Sequence, residues 1–446
     1  MHGENDSQVR RGANAAVLVS CAAPIAIVSI LLAPMLGSFA SAIVFTVAIL
    51  GGAGILIRGR LPEVPIAVRW TATAFAVFFG AELVSGLVNW NGSATVGQIG
   101  ANVAFLGVLP IYALIVQSRE RLLRHLLMAA PWCALAALAL AALQQFVLDF
   151  RPQGGDGNAG VFAVTTAILM AFTLANALAN ALEANRPRSG ILGSTIDLAG
   201  VFAAAATLIL SSTRALWPSL AIFPLILWLV TLQLGESRLQ RRIMAFSTIV
   251  IIAAGMTFAD TLSRRVAQVE ANIAAVQQGN NDTSLGKRLV IWKVAIGAIG
   301  EHPLLGYGPD APRRLMKERS AQIGGTTIIY SHFHNVILDE LVRAGLVGTF
   351  ALVAMVVVPL VAAVRHTRDR TASIGFGLLI CVQIAFLLSG SVNIMLHHDI
   401  LDAQFLANTV LCLYFVFGRV GRATGDTPPV PDEELALSNL RRRNRQ

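Results

Sequence analysis

Long apolar runs recur along most of the chain, and they constrain its fold more than any other feature. Each run has about 17 to 23 residues, enough for a helix to cross about 30 Å of hydrocarbon. A helix is expected in lipid because it pairs its own backbone N–H and C=O groups. Hydrophobic residues make up 55% of the 446 positions and charged residues only 13%, too apolar a composition for a water-soluble chain of this length. The sequence therefore predicts an all-α polytopic membrane protein with about twelve spans, at residues 14–34, 39–57, 66–88, 101–117, 126–147, 160–181, 194–211, 216–234, 243–259, 346–364, 372–392 and 401–418.

The arginines are distributed unevenly between the two sides of these spans. The chain has 34 Lys and Arg against 25 Asp and Glu, a formal charge of +9. With a cytoplasmic N-terminus, most arginines fall in cytoplasmic segments, whereas the short loops on the other side carry only Arg151 and Arg214. Basic residues accumulate on the cytoplasmic side of membrane proteins, so we expect both termini in the cytoplasm. This bias accounts for the basic composition without a nucleic-acid partner.

One long polar segment interrupts the pattern of spans. We expect transmembrane helices 1–9 in residues 1–259, an extracytoplasmic loop domain in 260–345, helices 10–12 in 346–418, and a basic cytoplasmic tail in 419–446 near anionic membrane lipids. Within the loop domain, hydrophobic residues at helical spacing predict amphipathic helices on both sides of QGNNDTS, and a third helix from about His334 to Ala344. Function is expected here because long loops carry binding and catalytic residues.

Two carboxylates lie within predicted spans, and a pair of opposite charges lies shortly before span ten. Glu82 and Asp197 lie within spans, where carboxylates are functional candidates, and Glu82 is placed to pair with an arginine at the interface. Asp339 and Arg343 are one helical turn apart and are expected to pair. The glycines that follow, in GLVG, are expected to let the third loop helix turn into span ten and pack closely.

Three short patterns occur in and near the loop domain. His334-Asn335 is followed by nine residues and then by Gly345-Leu-Val-Gly348; SSTRALW occupies residues 211–217; and Arg288-x-x-x-Trp292 leads into a Pro-x-x-Gly-x-Gly turn at residues 303–308. In this order the patterns resemble the signature of the O-antigen ligase family, bacterial membrane glycosyltransferases that include related polysaccharide polymerases. The resemblance covers the twelve-span plan and the late outer loop.

This resemblance implies an inverting glycosyltransferase in the bacterial inner membrane, with its active site on the periplasmic side. Its donor would be an O-antigen or related glycan linked to undecaprenyl pyrophosphate, and its acceptor a sugar of the lipid A core. A polymerase that joins lipid-linked repeat units is the close alternative. A twelve-span transporter is an alternative of another class, although many transporters divide into six plus six helices and this chain divides into nine plus three.

Three residues are expected to carry the chemistry. Arg214 and Arg288 would neutralise the leaving pyrophosphate, since a guanidinium stays charged and offers paired donors to phosphate oxygens. That charge would make the reaction metal-independent, and no cofactor is expected. His334 would accept the proton of the attacking sugar hydroxyl, because an imidazole with a pKa near about 6.5 suits a base at neutral pH. Simpler roles exist for each residue type: an arginine at the end of a span can snorkel to the interface, and a lone histidine is often structural or exposed.

Further polar and aromatic residues are expected to contact substrate. Asn335 would hold a sugar hydroxyl or cap the helix that follows it. The others are His332, Trp292, His397 and His398. No metal site is expected, because adjacent side chains such as His397-His398-Asp399 rarely converge on one ion and the four cysteines lie within apolar runs without ligand spacing.

Overall fold

The computed structural model describes residues 28–59, 63–117, 128–155, 157–183, 191–232, 259–367 and 370–418, with a few single positions outside these ranges. All regular elements in the described residues are helices; the segments Val103–Gly107, Leu143–Val147 and Arg214–Leu216 are short 3₁₀ or π turns, and the others are α-helices. In chain order they are α1 (Ser38–Arg58), α2 (Ile66–Val88), α3 (Ser93–Asn102), α4 (Val108–Gln117), α5 (Ala130–Ala142), α6 (Ala159–Glu183), α7 (Ile191–Leu210), α8 (Ser219–Leu232), α9 (Ala259–Gln277), α10 (Ser284–Glu301), α11 (Ala311–Gly324), α12 (Val336–Val364), α13 (Arg370–Val392) and α14 (Asp399–Phe417).

Eight helical segments of the described residues are long and apolar enough to cross a membrane. Two shorter apolar helices, Thr195–Leu210 and Arg214–Val230, bring the number of predicted spans that coincide with a helix to ten. The helical, multi-pass architecture is therefore confirmed. Predicted spans 14–34 and 243–259 lie largely outside the described residues, as does the basic tail, so the total of twelve stays a prediction.

Helices α6 and α14 lie at the centre of the bundle. In the apolar windows of these two helices, 94% of the residues are buried inside the protein, against 28% for α1. A helix that is apolar on all sides must be surrounded by other helices or by lipid. The protein therefore surrounds α14, which packs against α13, α1 and α4, while α1 leaves most of its surface for lipid.

The loop domain contains three helices before α12. Helices α9 and α10 lie where the amphipathic spacing predicted them, and α10 ends at Glu301, directly before His302-Pro303. Helix α11 was not predicted. It has Pro312 in its first turn, and Gly325, directly after its last residue, is in the left-handed conformation. Its apolar positions are few, so hydrophobic spacing gave no signal, although a proline near the start and a glycine after the end are typical helix boundaries.

The third predicted helix is the first part of α12, and it kinks at a glycine before entering the bundle. The Asn335 side chain caps this helix by accepting hydrogen bonds from the backbone N–H groups of Ile337 and Leu338, each at 3.1 Å. At Gly345 the backbone leaves helical geometry, with φ 65° and ψ −156°. The turn predicted before span ten is therefore present, as a kink at Gly345 within α12.

The loop after α10 satisfies the backbone groups that the kink releases. Leu346 N donates to Pro303 O at 2.9 Å, and Gly308 N donates to Arg343 O at 3.0 Å. On the other side, the Ser85 hydroxyl of α2 donates to Arg343 O at 2.6 Å. The kink therefore joins α2, α12 and the Pro-x-x-Gly-x-Gly turn into one packed unit.

We predict that Gly345→Ala lowers the stability of the protein by at least about 1–3 kcal/mol. Only glycine adopts this backbone conformation readily, and a Cβ there would overlap the backbone of Leu304 and Leu305. The measurement is thermal unfolding in detergent, with Gly297→Ala in α10 as the matched control, since a Cβ at Gly297 meets no other atom. Equal unfolding temperatures for Gly345→Ala and wild type would contradict the role given to the kink.

Candidate functional site

A cavity of about 620 Å³ lies where α6 and α10 begin and where α7 and α13 end. The loop that precedes α12 closes one side of it. The described residues that line the cavity are Arg151, Asn158, Ala159, Gly160, Ser212, Thr213, Arg214, Ala215, Gln268, Val269, Asn272, Ser284, Leu285, Arg288, His334, Val392 and Asn393. Arg214, Arg288 and His334, which the sequence places in three separate segments, therefore face one space.

The charge of this cavity is strongly positive. Arg151, Arg214 and Arg288 contribute three guanidinium groups, and none of the described lining residues is Asp or Glu. Burial and the nearby Arg214 guanidinium lower the pKa of Arg288, yet a guanidinium stays protonated at neutral pH. Several guanidinium groups that share one cavity, with no carboxylate among its lining residues, are expected where an anionic ligand binds.

Two helix N-termini add to the positive potential. The first residues of α6, Ala159 and Gly160, line the cavity, as do Ser284 and Leu285 at the start of α10. The unpaired N–H groups of a helix start carry about half a unit positive charge and attract anions. Arg288 lies in the second turn of α10, so its charge and the helix dipole act in the same direction.

Hydrogen bonds fix the turn that carries Arg214. Arg151 Nε donates to Ser211 O at 2.7 Å, and Arg151 Nη2 donates to the Thr213 hydroxyl at 3.0 Å. The Thr213 hydroxyl in turn donates to Ala159 O at 3.0 Å. Ser212, in the same turn, has a positive φ of 55°, which is rare for a residue other than glycine. Strained backbone of this kind persists where the surrounding structure holds it, often at functional sites.

His334 also has strained backbone, with φ 52°, and its ring is held through Nδ1. That nitrogen is 3.3 Å from Asn393 Oδ1 and 3.1 Å from His332 Nε2. Because Asn393 Oδ1 can only accept, this contact favours the tautomer with the proton on Nδ1. The Nε2 nitrogen then keeps its lone pair.

The surroundings of His334 keep the imidazole neutral. Burial lowers its pKa to about 4, and the neighbouring His332 and the Arg288 charge act in the same direction. At neutral pH the ring is therefore an uncharged base, although a weak one in the absence of ligand. An anion bound beside Arg288 would offset that charge and raise the pKa, which would make Nε2 more basic when the cavity is occupied.

Buried groups anchor the loop that carries His334. Trp292 Nε1 donates to Phe333 O at 2.8 Å, and Phe333 N donates to Asp339 Oδ1 at 2.9 Å. Arg343 pairs with Asp339 at 2.7 Å, as the sequence predicted. The same guanidinium donates to Ser331 O at 3.3 Å and to Pro309 O. This ion pair thus connects the loop that carries His334 to the loop before α11.

None of the five residues expected to bind substrate is among the lining residues of the cavity. Trp292 and Asn335 make the loop and cap contacts described above, and His332 contacts the His334 ring. His398 Nδ1 is 3.2 Å from Asp399. His397 is directed toward the bundle interior, with only 4% of its side chain exposed. Their role in substrate binding stays a prediction.

The two carboxylates noted within spans have different partners. Asp197 accepts hydrogen bonds from Asn176 at 2.8 Å and from Asn180 at 2.9 Å. Glu82 accepts one from Asn102 at 3.3 Å and faces His397. Among the described residues, Glu82 forms no direct ion pair with an arginine, but the Arg343 charge acts on it at longer range.

Three polar residues that line the cavity were not predicted as site residues from the sequence: Arg151, Asn158 and Asn393. A signal existed for Arg151, because it is one of only two arginines in the short loops that the sequence predicts on the outer side. Asn158 caps α6 by accepting from Gly160 N at 2.9 Å. Asn393 follows α13 without a recognisable pattern, so only the fold reveals its contact with His334.

Fold and site together define a multi-pass helical membrane protein with an arginine-rich, acid-free cavity beside a neutral histidine. A family model described as O-Antigen ligase matches residues 199–353. The match contains Arg214, Arg288 and His334, and it confirms the resemblance to that family. It supports a glycan-transferring membrane enzyme.

The chain is also similar to a protein of Haemophilus influenzae that is described as uncharacterized. The two are 24% identical over 303 residues, which cover 67% of this chain and 73% of the relative. The likeness extends well beyond the part that the family model matches. It assigns no activity.

We predict that Asp339→Ala destabilises the protein by about 3–5 kcal/mol, because it leaves the buried Arg343 without its charged partner. The unfolding temperature in detergent measures this effect. Asp282→Ala is the matched control, because it breaks an exposed pair with Lys287 at 3.0 Å and is expected to change little. A similar small shift for both variants would show that the Asp339–Arg343 pair does not hold the loop.

Proposed function

We propose that the protein is an inverting glycosyltransferase that moves an O-antigen or related glycan from undecaprenyl pyrophosphate to a sugar of the lipid A core. The reaction would take place on the periplasmic side of the bacterial inner membrane, with both termini in the cytoplasm. The observation that carries the proposal is the cavity with three guanidiniums, two helix N-termini and a neutral histidine. A pyrophosphate beside a sugar is the ligand chemistry that this combination fits.

In the proposed reaction, the arginines act on the leaving group. The acceptor oxygen attacks the anomeric carbon, the bond from that carbon to the pyrophosphate oxygen breaks, and the configuration inverts. The departing undecaprenyl pyrophosphate gains one negative charge, which Arg214 and Arg288 are placed to stabilise. Fixed cations at this point supply the charge that a metal ion supplies in many phosphoryl sites, so the transfer step needs no added metal.

His334 acts on the acceptor in this mechanism. Its Nε2 accepts the proton of the attacking hydroxyl, while Asn393 and His332 hold Nδ1. After the anionic product leaves, the pKa returns toward about 4, so the imidazolium releases its proton to water. The same groups that make the free histidine a weak base thus return it to its starting state.

The direct test is reconstitution of the purified protein with an undecaprenyl-pyrophosphate-linked glycan and lipid A core, without added metal. We expect transfer to lipid A core in the wild type. His334→Ala should lower kcat by about 10²–10⁴-fold through loss of the base, and Arg288→Gln by about 10²–10³-fold through loss of leaving-group stabilisation. Lys287→Gln is the matched control, since Lys287 neighbours Arg288 on α10 and pairs with Asp282 instead.

The outcomes of this assay separate the alternatives. Chain growth with donor as the sole substrate would identify a polymerase, which the same cavity would serve. Full activity in both Arg288→Gln and His334→Ala would exclude the proposed mechanism. Absence of transfer by folded wild-type protein with either acceptor would contradict the proposed function.

A pH profile tests the assignment of His334 as the base. Protonation of the imidazole removes the base, so activity falls as the pH falls through the pKa. The acid limb of kcat/KM should lie near the pKa of about 4 of the donor-free protein, and that of kcat at higher pH, because the bound pyrophosphate raises the pKa. In Arg288→Gln the limb of kcat/KM should also move to higher pH, since the Arg288 charge depresses this pKa. Unchanged limbs in that variant would argue for a different base.

A further inference from the structure

A second cluster of ionisable side chains lies apart from the arginine-rich cavity. It contains Glu82 of α2, Glu340 of α12 and His397 of the loop before α14, and its ligand-type atoms all lie within 4.8 Å of one another. His397 Nε2 is 3.3 Å from Glu340 Oε2 and 3.9 Å from Glu82 Oε1. None of the three residues lines the cavity. The proposed transfer reaction does not use them.

The carboxylates of this cluster are buried and incompletely paired. Glu82 is 0% exposed and Glu340 1%. Asn102 donates to Glu82 Oε2, and His397 Nε2 lies 3.3 Å from Glu340 Oε2. Glu82 Oε1 and Glu340 Oε1 face no N–H or O–H donor among the described residues, and the two carboxyl groups hydrogen-bond to each other only when one of them holds a proton. A buried carboxylate oxygen without a donor is strongly unfavourable. Glu82 Oε1 faces the His397 nitrogen, so the missing partner belongs in the space between these side chains.

The charges around the cluster favour a doubly charged cation. With both carboxyls deprotonated, as metal binding requires, Glu82 and Glu340 carry two negative charges, and a neutral His397 adds none. The nearby Arg343 is bound to Asp339 at 2.7 Å, so that pair is neutral by itself. Asp402 accepts from the backbone N–H of His397 at 2.9 Å, in the first turn of α14, where the helix start stabilises a negative charge.

The geometry matches a small tetrahedral site. Zinc bonds of about 2.0–2.2 Å to nitrogen and carboxylate oxygen place neighbouring ligand atoms roughly 3.3 Å apart. The separation of 3.3 Å between His397 Nε2 and Glu340 Oε2 equals this value, the separation of 3.9 Å to Glu82 Oε1 is somewhat longer, and all three ligand atoms lie within 4.8 Å, so small side-chain shifts would complete the site. His397 also has a positive φ of 63°, so the loop accepts backbone strain in order to direct the ring into the cluster.

We propose that Glu82, Glu340 and His397 bind one divalent metal ion of the zinc type. The ligands are one oxygen of each carboxylate and Nε2 of the imidazole, with a fourth position open to water. Such an ion joins α2, α12 and the loop that begins at Asn393. Because Asn393 contacts His334, the ion holds one wall of the neighbouring cavity in place. This role is structural and separate from the transfer step.

In the sequence, the neighbours of His397 are His398 and Asp399, which do not belong to the cluster. The partners of His397 come instead from positions far away in the chain, on α2 and α12. Their proximity is a property of the fold, so spacing along the sequence gave no indication of it.

Metal analysis of the intact protein tests this proposal without substrate. The protein is purified in detergent without a polyhistidine tag, incubated with Zn²⁺, freed of unbound metal by gel filtration, and measured by plasma mass spectrometry. We expect about one zinc ion per chain in the wild type. His397→Ala and Glu340→Gln should lose it, and the matched control His398→Ala should retain it.

Wild-type protein that binds no zinc in this measurement would overturn the proposal, and the two carboxyls would then share a proton. Equal zinc in His397→Ala and His398→Ala would also overturn it, by placing the ion elsewhere. If the variants do not fold, two measurements on the wild type still decide the question: the number of zinc ions bound per chain, and the rise in unfolding temperature that Zn²⁺ causes. Because no glycan is present, failure here leaves the proposed transferase function intact.

Discussion

The buried ion pair between Asp339 and Arg343 is the interaction on which the site depends. It lies in the first turns of α12, with a separation of 2.7 Å, at the point where the helix approaches its kink. Asp339 accepts from the loop that carries His334, and Arg343 donates to the loop before α11. Buried pairs of this kind add little net stability compared with apolar residues, but they are costly to break. Here the pair determines where two irregular loops lie relative to the bundle.

The cavity combines groups that would repel each other in the absence of a ligand. Three guanidiniums and two helix starts concentrate positive charge. Burial, the neighbouring His332 and the Arg288 charge hold the pKa of His334 low. This cost is met by the packing of α6 against α7 and α13 and of α10 against α9 and α12, which brings the groups together before any ligand arrives. Preorganised charge is effective in catalysis because it does not need to rearrange as the transition state forms. The proposed function follows from this feature more than from any single residue.

Much of the fold could be predicted from the sequence because lipid imposes a simple length requirement on apolar runs. Ten predicted spans coincide with described helices, and the cap at Asn335 and the turn at Gly345 followed from residue type. Helix α11 was missed because its helical signal lies in boundary residues such as Pro312 and Gly325 rather than in apolar spacing. For Glu82 the sequence predicted an arginine but not the direct contact, since the Arg343 charge acts on Glu82 at longer range and the residue in contact is His397.

The candidate site was predictable only where short patterns mark it. Arg214, Arg288 and His334 belong to patterns that resemble one family, and they line one cavity. Asn393 and the cluster around His397 belong to no local pattern, because their contacts join positions that are distant along the chain. Contacts between elements depend on helix packing, which hydrophobic spacing does not determine.

The proposed mechanism requires that the arginine-rich cavity bind the pyrophosphate of a lipid-linked donor. A cryo-electron microscopy structure of the protein with undecaprenyl pyrophosphate would test it. We predict phosphate density within about 3.2 Å of the guanidinium nitrogens of Arg214 and Arg288, with the His334 ring facing the same space. Phosphate density at another site, with no ligand density between these arginines, would contradict the account.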